Sequence, residues 1–260
     1  MLELARVLPG ADKSAAWANP SGGGLVMGLV RTSEELEAIQ RMRYKIFTED
    51  MNVVFPDAID GVDSDRFDPW CEHIMVKEVD SGLVVGTYRL LTPANAVKAG
   101  GYYSESEFDI SAFNSMRSSV AEVGRSCIHA DYRNGSVIML LWSGIAALMQ
   151  QHGFRYVLGC ASVSLRDDGV TAAEVWRLAS KMLKANTECP VIVPRHRYPV
   201  ERLNSELPAR VPPLIKGYIK LGATICGEPA WDPDFNAADF PILMDKERMD
   251  PRYRRHFGLD

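Results

Sequence analysis

The 260-residue sequence predicts an α+β fold in which helices flank a mixed, mostly antiparallel central sheet. Three observations predict it. A capped amphipathic helix stands near the start, two alternating strands joined by Asp80-Ser81-Gly82 read as a hairpin, and strand, helix, strand and helix follow in series over residues 120–186.

Residues 1–24, rich in Gly, Ala, Ser and Pro and ending in "NPSGGG", read as a flexible arm; residues 25–260 read as a single domain with a C-terminal extension. Leu25–Val30 is the first strand. In "TSEELEAIQRMRYKIF", Thr32 is the expected N-cap and Glu35 completes a capping box. Leu36, Ile39, Met42 and Ile46 then recur at helical spacing, which gives the helix one buried face. An acidic, irregular stretch over 51–72 leads to the hairpin strands "HIMVKEV" and "LVVGTYRLL". "VAEVGRSCI" is the next strand and Val137–Gln151 a helix. Its uncharged run, Val137–Met149, falls short of the ~20 apolar residues that a membrane span requires, so burial in the core is expected. "RYVLGCASV" reads as a buried strand and "TAAEVWRLASKMLKAN" as an amphipathic helix. A Pro-rich basic connector over 190–213 precedes the helix "LIKGYIKLG" and the strands "ATICG" and "FPILMD".

Composition narrows the function. With 47% hydrophobic residues the chain can bury a proper core, and a net charge of −5 argues against a nucleic-acid binder that relies on bulk positive charge. Five scattered cysteines without a C-x-x-C pair suit reduced thiols in a cytoplasm better than a disulfide framework or a zinc site. No basic-then-apolar leader stands at the start, so secretion is not expected.

Chemistry concentrates in residues 120–137. Glu122 and Arg125 stand three apart on a strand, where a regular pleat sends them to opposite faces. A bulge at Gly124 would turn both toward one cleft and leave a backbone N–H free. A base and an oxyanion donor are what amide synthesis needs; the alternative is a surface ion pair. The turn Arg133–Gly135, with Ser136 and Val137 following, aims N–H groups at one point and suits a pyrophosphate or a phosphodiester, though it also reads as a plain turn. Cys127 is either a small core residue or, with His129 on the same face by alternation, a nucleophile with its base. His73 and His152 lack partners and read as structural. The basic clusters "PRHRYPVER" and "DPRYRRHF" read as solvated faces or as docking surfaces for an acidic protein or an anionic membrane.

"IHADYRNGSVIMLLWSGI" resembles the strand, turn and helix of the GNAT acyltransferase superfamily, where that turn holds a pantetheine-bearing acyl donor. "MRYKIF", "DRFD", "VVGTYRLL", "GGYYSESEFDI", "EVGRSCIHADYR", "LGCASV", "PPLIKGYIKLGATICGEPAWDPDFNAADF" and "YRRHF" together resemble the ornithine-lipid pathway N-acyltransferases, from about residue 25 to the C-terminus. Arg43 with Phe47, Asp65 and Asp68, Arg89, and Glu122 with Arg125 also stand in the order found in acyl-homoserine-lactone synthases.

The resemblance implies a GNAT-like fold and transfer of a 3-hydroxyacyl chain from acyl carrier protein to the α-amine of L-ornithine, giving lyso-ornithine lipid. It implies Glu122 and Arg125 as catalytic, and Cys127, Ile128, Arg133, Gly135 and Ser136 as donor-binding. Asp65, Asp68, Arg89 and Arg43 are the expected acceptor site, with Asp109 a further acidic candidate. Ile138 stands where GNAT turns carry a second small residue, which favours carrier-protein-borne phosphopantetheine over coenzyme A. No metal and no resident cofactor are implied. A cytoplasmic protein at the inner face of the membrane is expected, binding no nucleic acid. The rival readings are an N-acyl amino acid synthase with another acceptor, an acyl-homoserine-lactone synthase, and a non-catalytic, membrane-associated lipid-binding protein on the same fold.

Overall fold

In the computed structural model, which describes residues 24–51, 53–55, 60–185, 189–203, 207 and 209–259, the chain begins with β1 (Leu25–Leu29) and α1 (Ser33–Met51). The hairpin follows as β2 (Glu72–Glu78) and β3 (Val84–Leu91), then the short elements α2 (Pro93–Lys98), α3 (Ser104–Glu107) and β4 (Phe108–Asp109). The central unit is β5 (Val120–Ile128), α4 (Ser136–His152), β6 (Tyr156–Ser164) and α5 (Val170–Ala185). Last come β7 (Val193–Pro194), α6 (Pro213–Leu221), β8 (Thr224–Ile225), β9 (Ala230–Asp232), β10 (Ala237–Asp245) and α7 (Pro251–His256). The arm expected over 1–24 lies outside the described residues except for Gly24, whose carbonyl accepts from the Val79 N–H at 2.8 Å.

The main sheet runs β1-β2-β3-β5-β6-β10-β8, with β9 also on β10; β4 and β7 form a separate pair. Every pairing is antiparallel except β5 with β6, which α4 joins as a crossover. This is the mixed, mostly antiparallel sheet that the sequence predicts.

Alternation decides which helix covers which face. Ile74, Val76, Tyr88 and Leu90 share one core with Leu141, Ile145 and Met149 of α4. His73 and Arg89, directly opposite each other across β2 and β3, project to the other face, toward α1. The capping box forms in part: the Thr32 hydroxyl accepts from the Glu35 N–H at 3.2 Å, while the Glu35 carboxylate reaches the Arg31 N–H instead of that of Thr32. The buried face of α1 holds Ile39 as expected, but also Gln40 and Arg43. A polar core under this helix was not visible in its apolar spacing.

Two strands of the central unit part company, and this creates the site. The parallel ladder covers only Val120–Glu122 against Tyr156–Leu158. Beyond it β6 stays paired to β10 through Ser164, while β5 stays with β3. Gly159 sits just past the last parallel pair, where a Cβ would meet the Val123 carbonyl oxygen at 2.9 Å, so a side chain there would force the strands apart sooner.

Candidate active site

On β5 the register shifts between the pairs Thr87–Cys127 and Arg89–Gly124, so Arg125 and Ser126 together oppose Tyr88. This is a bulge next to the expected Gly124, and Arg125 takes a left-handed φ of 52°. Glu122, Gly124, Arg125 and Ser126 thereby line one cavity of about 290 Å³. Groups from both sheet faces bound it. Arg89, Tyr103 and Glu122 line it, as do Trp142, Ile145 and Met149 of α4. Tyr218 of α6, Met249, Phe257 and Leu259 add to its apolar lining. Such a space joins a polar head to a slot for a hydrocarbon chain.

Glu122 is 4% exposed. Its carboxylate accepts the Tyr103 N–H at 2.6 Å, the Ser104 N–H at 2.7 Å and the Ser104 hydroxyl at 2.5 Å. Burial nevertheless pushes its pKa above the ordinary 4.5, outweighing these bonds and the nearby Arg89. A more basic carboxylate facing a cavity can take a proton from an ammonium. Glu122 and Arg125 make no ion pair with each other in these contacts: Arg125 faces Asp63 at 3.4 Å and Asp65 at 3.2 Å, under the rings of Tyr103 and Phe235.

The residues expected for the acceptor site lie in one buried ionic network. Arg43, with no solvent exposure, pairs with Asp63 at 2.8 Å and Asp68 at 2.7 Å, and Gln40 donates to Asp68 at 2.8 Å. Arg89 bridges Asp65 and Asp68, at 2.7 Å to each. Asp65 also accepts the Phe67 and Asp68 N–H groups, which fixes the turn. Three arginines thus balance three aspartates, and Arg43 and Arg89 hold Asp68 well below the usual carboxylate range against its burial. Neither Asp65, Asp68 nor Arg43 lines the cavity, though Arg89 does. These charges serve each other, fastening α1 and the 60–68 loop to the sheet. Asp109 is exposed and caps its own turn through the Ser111 N–H.

The residues expected to bind the donor lie outside the cavity lining. Gly135 caps α4 with a φ of 99° and open space where a Cβ would stand. Arg133 is held by Asp50 and by the Ile128 carbonyl, and the Ser136 N–H and hydroxyl both bond Asn134. Ile128 packs against the α4 core. The Cys127–His129 pairing is corrected: β5 ends at Ile128, and His129 turns away to accept from the Asp131 N–H. Cys127 is buried, and burial pushes its thiol up to about 12, so it rests as a core thiol.

A second acidic group, overlooked in the sequence, borders the same cavity. Glu107, Asp232 and Asp239 place ligand oxygens within 4.8 Å of one another, and Asp232 and Asp239 line the cavity. Asp239 was hidden because the final strand was expected to begin at Phe240; it begins at Ala237, which turns Asp239 into a buried strand residue opposite Ser162.

Comparison with known proteins follows the geometry. The Acetyltransferase (GNAT) domain family matches residues 42–143. An L-ornithine N(alpha)-acyltransferase of Brucella abortus (strain 2308) is 32% identical over 256 residues, covering 92% of this chain and 90% of that protein. The L-ornithine N(alpha)-acyltransferase of Rhizobium meliloti (strain 1021) is 31% identical, covering 89% and 83%. The chain belongs to the L-ornithine N(alpha)-acyltransferase family. It is an N-acyltransferase with a GNAT domain. Among solved structures, FeeM, an N-acyl amino acid synthase from uncultured soil microbes, shares the fold with a TM-score of 0.54 at 12% identity, over 89% of this chain and 97% of FeeM. BjaI, a CoA-dependent acyl-homoserine lactone synthase, does so with a TM-score of 0.50 at 15% identity, over 90% of each chain.

Proposed function

We propose that this N-acyltransferase moves a 3-hydroxyacyl chain from acyl carrier protein to the α-amine of L-ornithine, giving lyso-ornithine lipid. The observation that carries this reading is the single cavity that joins a buried, basic carboxylate, Glu122, to a slot walled by Trp142, Ile145 and Met149. The names of the relatives supply the acceptor.

In this mechanism the thioester carbonyl lies in the gap between β5 and β6. Glu122 takes a proton from the α-ammonium, and the freed amine attacks the thioester carbon directly. Backbone N–H groups of the bulged segment receive the negative charge of the tetrahedral oxygen. The carbon–sulfur bond then breaks as the attacking nitrogen gives up its second proton to become the amide; that proton neutralises the leaving pantetheine thiolate, and Glu122 returns the first proton to water. The phosphopantetheine arrives on the carrier protein and approaches over the turn Arg133–Gly135.

The basic segments supply docking charge unequally. Arg197 is already paired with Glu228 and Glu201. Arg252 on α7 is also paired, with Asp250 at 3.2 Å, but at 81% exposure against 43% for Arg197 it presents more of its charge to solvent, which favours the C-terminal cluster as the surface for an acidic carrier protein or an anionic leaflet. Among the described residues no helix is long and apolar enough to cross a membrane.

Incubation with 3-hydroxyacyl carrier protein and a panel of amino acids, read by mass spectrometry, tests the reading. Acyl-ornithine as the main product supports it; preference for a neutral amino acid, lactone formation from S-adenosylmethionine, or binding without turnover replaces it by one of its rivals.

Two substitutions probe the donor side. Gly135→Val should raise KM for the acyl carrier protein several-fold more than KM for ornithine, because bulk enters beside the helix N-terminus. Gly135→Ala carries the same backbone strain with less bulk and separates the two causes; equal damage to both substrates argues against a pantetheine path over this turn. Ala146→Phe narrows the apolar slot from the α4 wall. It should shift preference toward shorter acyl chains, and an unchanged chain-length profile would place the acyl chain elsewhere.

A further inference from the structure

We propose that Glu107, Asp232 and Asp239 hold the side-chain ammonium of the acceptor and select a diamino acid over a neutral one, a proposal that rests on the reading that the enzyme acylates the α-amine of ornithine. The acidic triad comes from three elements that the fold brings together: the end of α3, β9, and the buried start of β10. Its ligand oxygens lie within 4.8 Å of one another.

An independent observation points to a missing partner. Asp239 is only 2% exposed; Ser162 and the protonated Glu107 are the side chains that hydrogen-bond its carboxyl, and with both acids ionised Asp239 Oδ1 and Glu107 Oε2 are left without a donor. An unsatisfied buried carboxylate oxygen is costly, and a site that keeps one at the wall of a cavity is arranged for a donor that arrives from outside. Arg125 is a cation whose charge acts on Asp232 and Asp239, yet its guanidinium is drawn toward Asp63 and Asp65. Asp232 is partly occupied, since its Oδ1 accepts the Asp234 and Phe235 N–H groups.

The electrostatics agree. Burial and then the Asp239 charge push Glu107 up, while burial and the Asp232 charge push Asp239 up to about 6 against the hydrogen bonds from Ser162 and Glu107. Such a pair ionises fully only when a cation enters and replaces the shared proton, which favours a charged guest over a neutral one.

Tyr103 links this triad to the reacting end. Its backbone N–H bonds Glu122, and its side chain extends to the neighbourhood of Glu107. The two ends of one tyrosine residue therefore separate the base from the acidic triad, a spacing that suits an acceptor whose two amines sit at the ends of a short aliphatic chain. The α-amine then meets Glu122 while the second ammonium is held away from the thioester. Asp65 and Asp68 cannot do this, because their oxygens are committed to Arg43, Arg89 and Arg125.

Steady-state acylation of ornithine and of norvaline, its analogue without the second amine, tests the proposal in wild type and Asp239→Asn. Asn keeps the shape and removes the charge. KM for ornithine should rise at least about tenfold with little change for norvaline, as loss of a charge-assisted contact predicts. Asp239→Asn should unfold no more easily than wild type, since it removes a repelled charge. Should it fail to fold, Asp232→Asn, which retains an oxygen to cap the same turn, is read in its place. Equal loss for ornithine and norvaline overturns the proposal. So does an activity that a chelator abolishes and magnesium or calcium restores, which would make the triad a metal site. A wild-type enzyme that leaves ornithine unacylated removes the underlying reading and the proposal with it; one that acylates ornithine while Asp239→Asn keeps its selectivity removes the proposal alone.

Discussion

Glu122→Gln is expected to lower kcat by roughly 10²–10⁴ while binding of the acyl donor persists, because the substitution keeps shape and removes the base. Gln brings an NH₂ group to a position surrounded by three donors, the Tyr103 N–H, the Ser104 N–H and the Ser104 hydroxyl. Part of the loss could then come from a displaced 103–104 loop, so the pH profile is the deciding measurement. The wild-type acid limb should lie above pH 4.5, since burial raises the Glu122 pKa and the base works only when deprotonated. Activity is therefore lost as pH falls through that raised value. The residual activity of Glu122→Gln should lack this limb. A variant retaining more than about a third of the wild-type rate, or an unchanged limb, assigns the proton transfer to another group.

Arg43→Ala carries the largest expected effect on stability. It removes a fully buried cation and leaves Asp63 and Asp68 in the interior with one arginine contact fewer each. Breaking a buried ionic network in this way costs about 3–5 kcal/mol. For a chain of this size that corresponds to a fall in Tm on the order of 10 °C. The same network makes the fold acid-sensitive. The folded-state pKa of Asp68 is depressed below its ordinary 3.8. Its contribution is thus fully present above about pH 3.8 and is lost as pH falls further, through the folded value. Thermal unfolding monitored by circular dichroism from pH 7 downward checks both statements. A Tm within about 2 °C of wild type, joined to a selective loss of ornithine binding, would return these residues to the acceptor site.

The legible part of the site was its backbone chemistry. A glycine between Glu122 and Arg125 on a strand announced a bulge, and the bulge lies at the adjoining pair Arg125–Ser126. The apolar helix after Gly135 announced its burial, and α4 lies at the centre of a core. Partner choice among charges was not legible. Asp65, Asp68, Arg43 and Arg89 carry the same formal charges whether they bind a ligand or one another, and only distances of 2.7 Å between them decide it. Asp239 failed for a different reason. A strand boundary misplaced by three residues turned a buried carboxylate into a loop residue.

The sequence by itself determined the order of the main helices and strands, the hairpin with its Asp80–Gly82 turn, and the resemblance to the family to which the chain belongs. These depend on periodicity, turn chemistry and local motifs, all of which act between residues close in the chain. The tertiary structure alone decided where β5 leaves β6, which acids are neutralised and which stay unsatisfied. Those outcomes depend on burial and on contacts between distant segments: Asp68 meets Arg43 and Arg89, whereas Asp239 meets Glu107 and Asp232 at a cavity wall. Identical side chains acquire opposite roles there, because the free energy of a carboxylate is set by whether its surroundings supply a cation or withhold one.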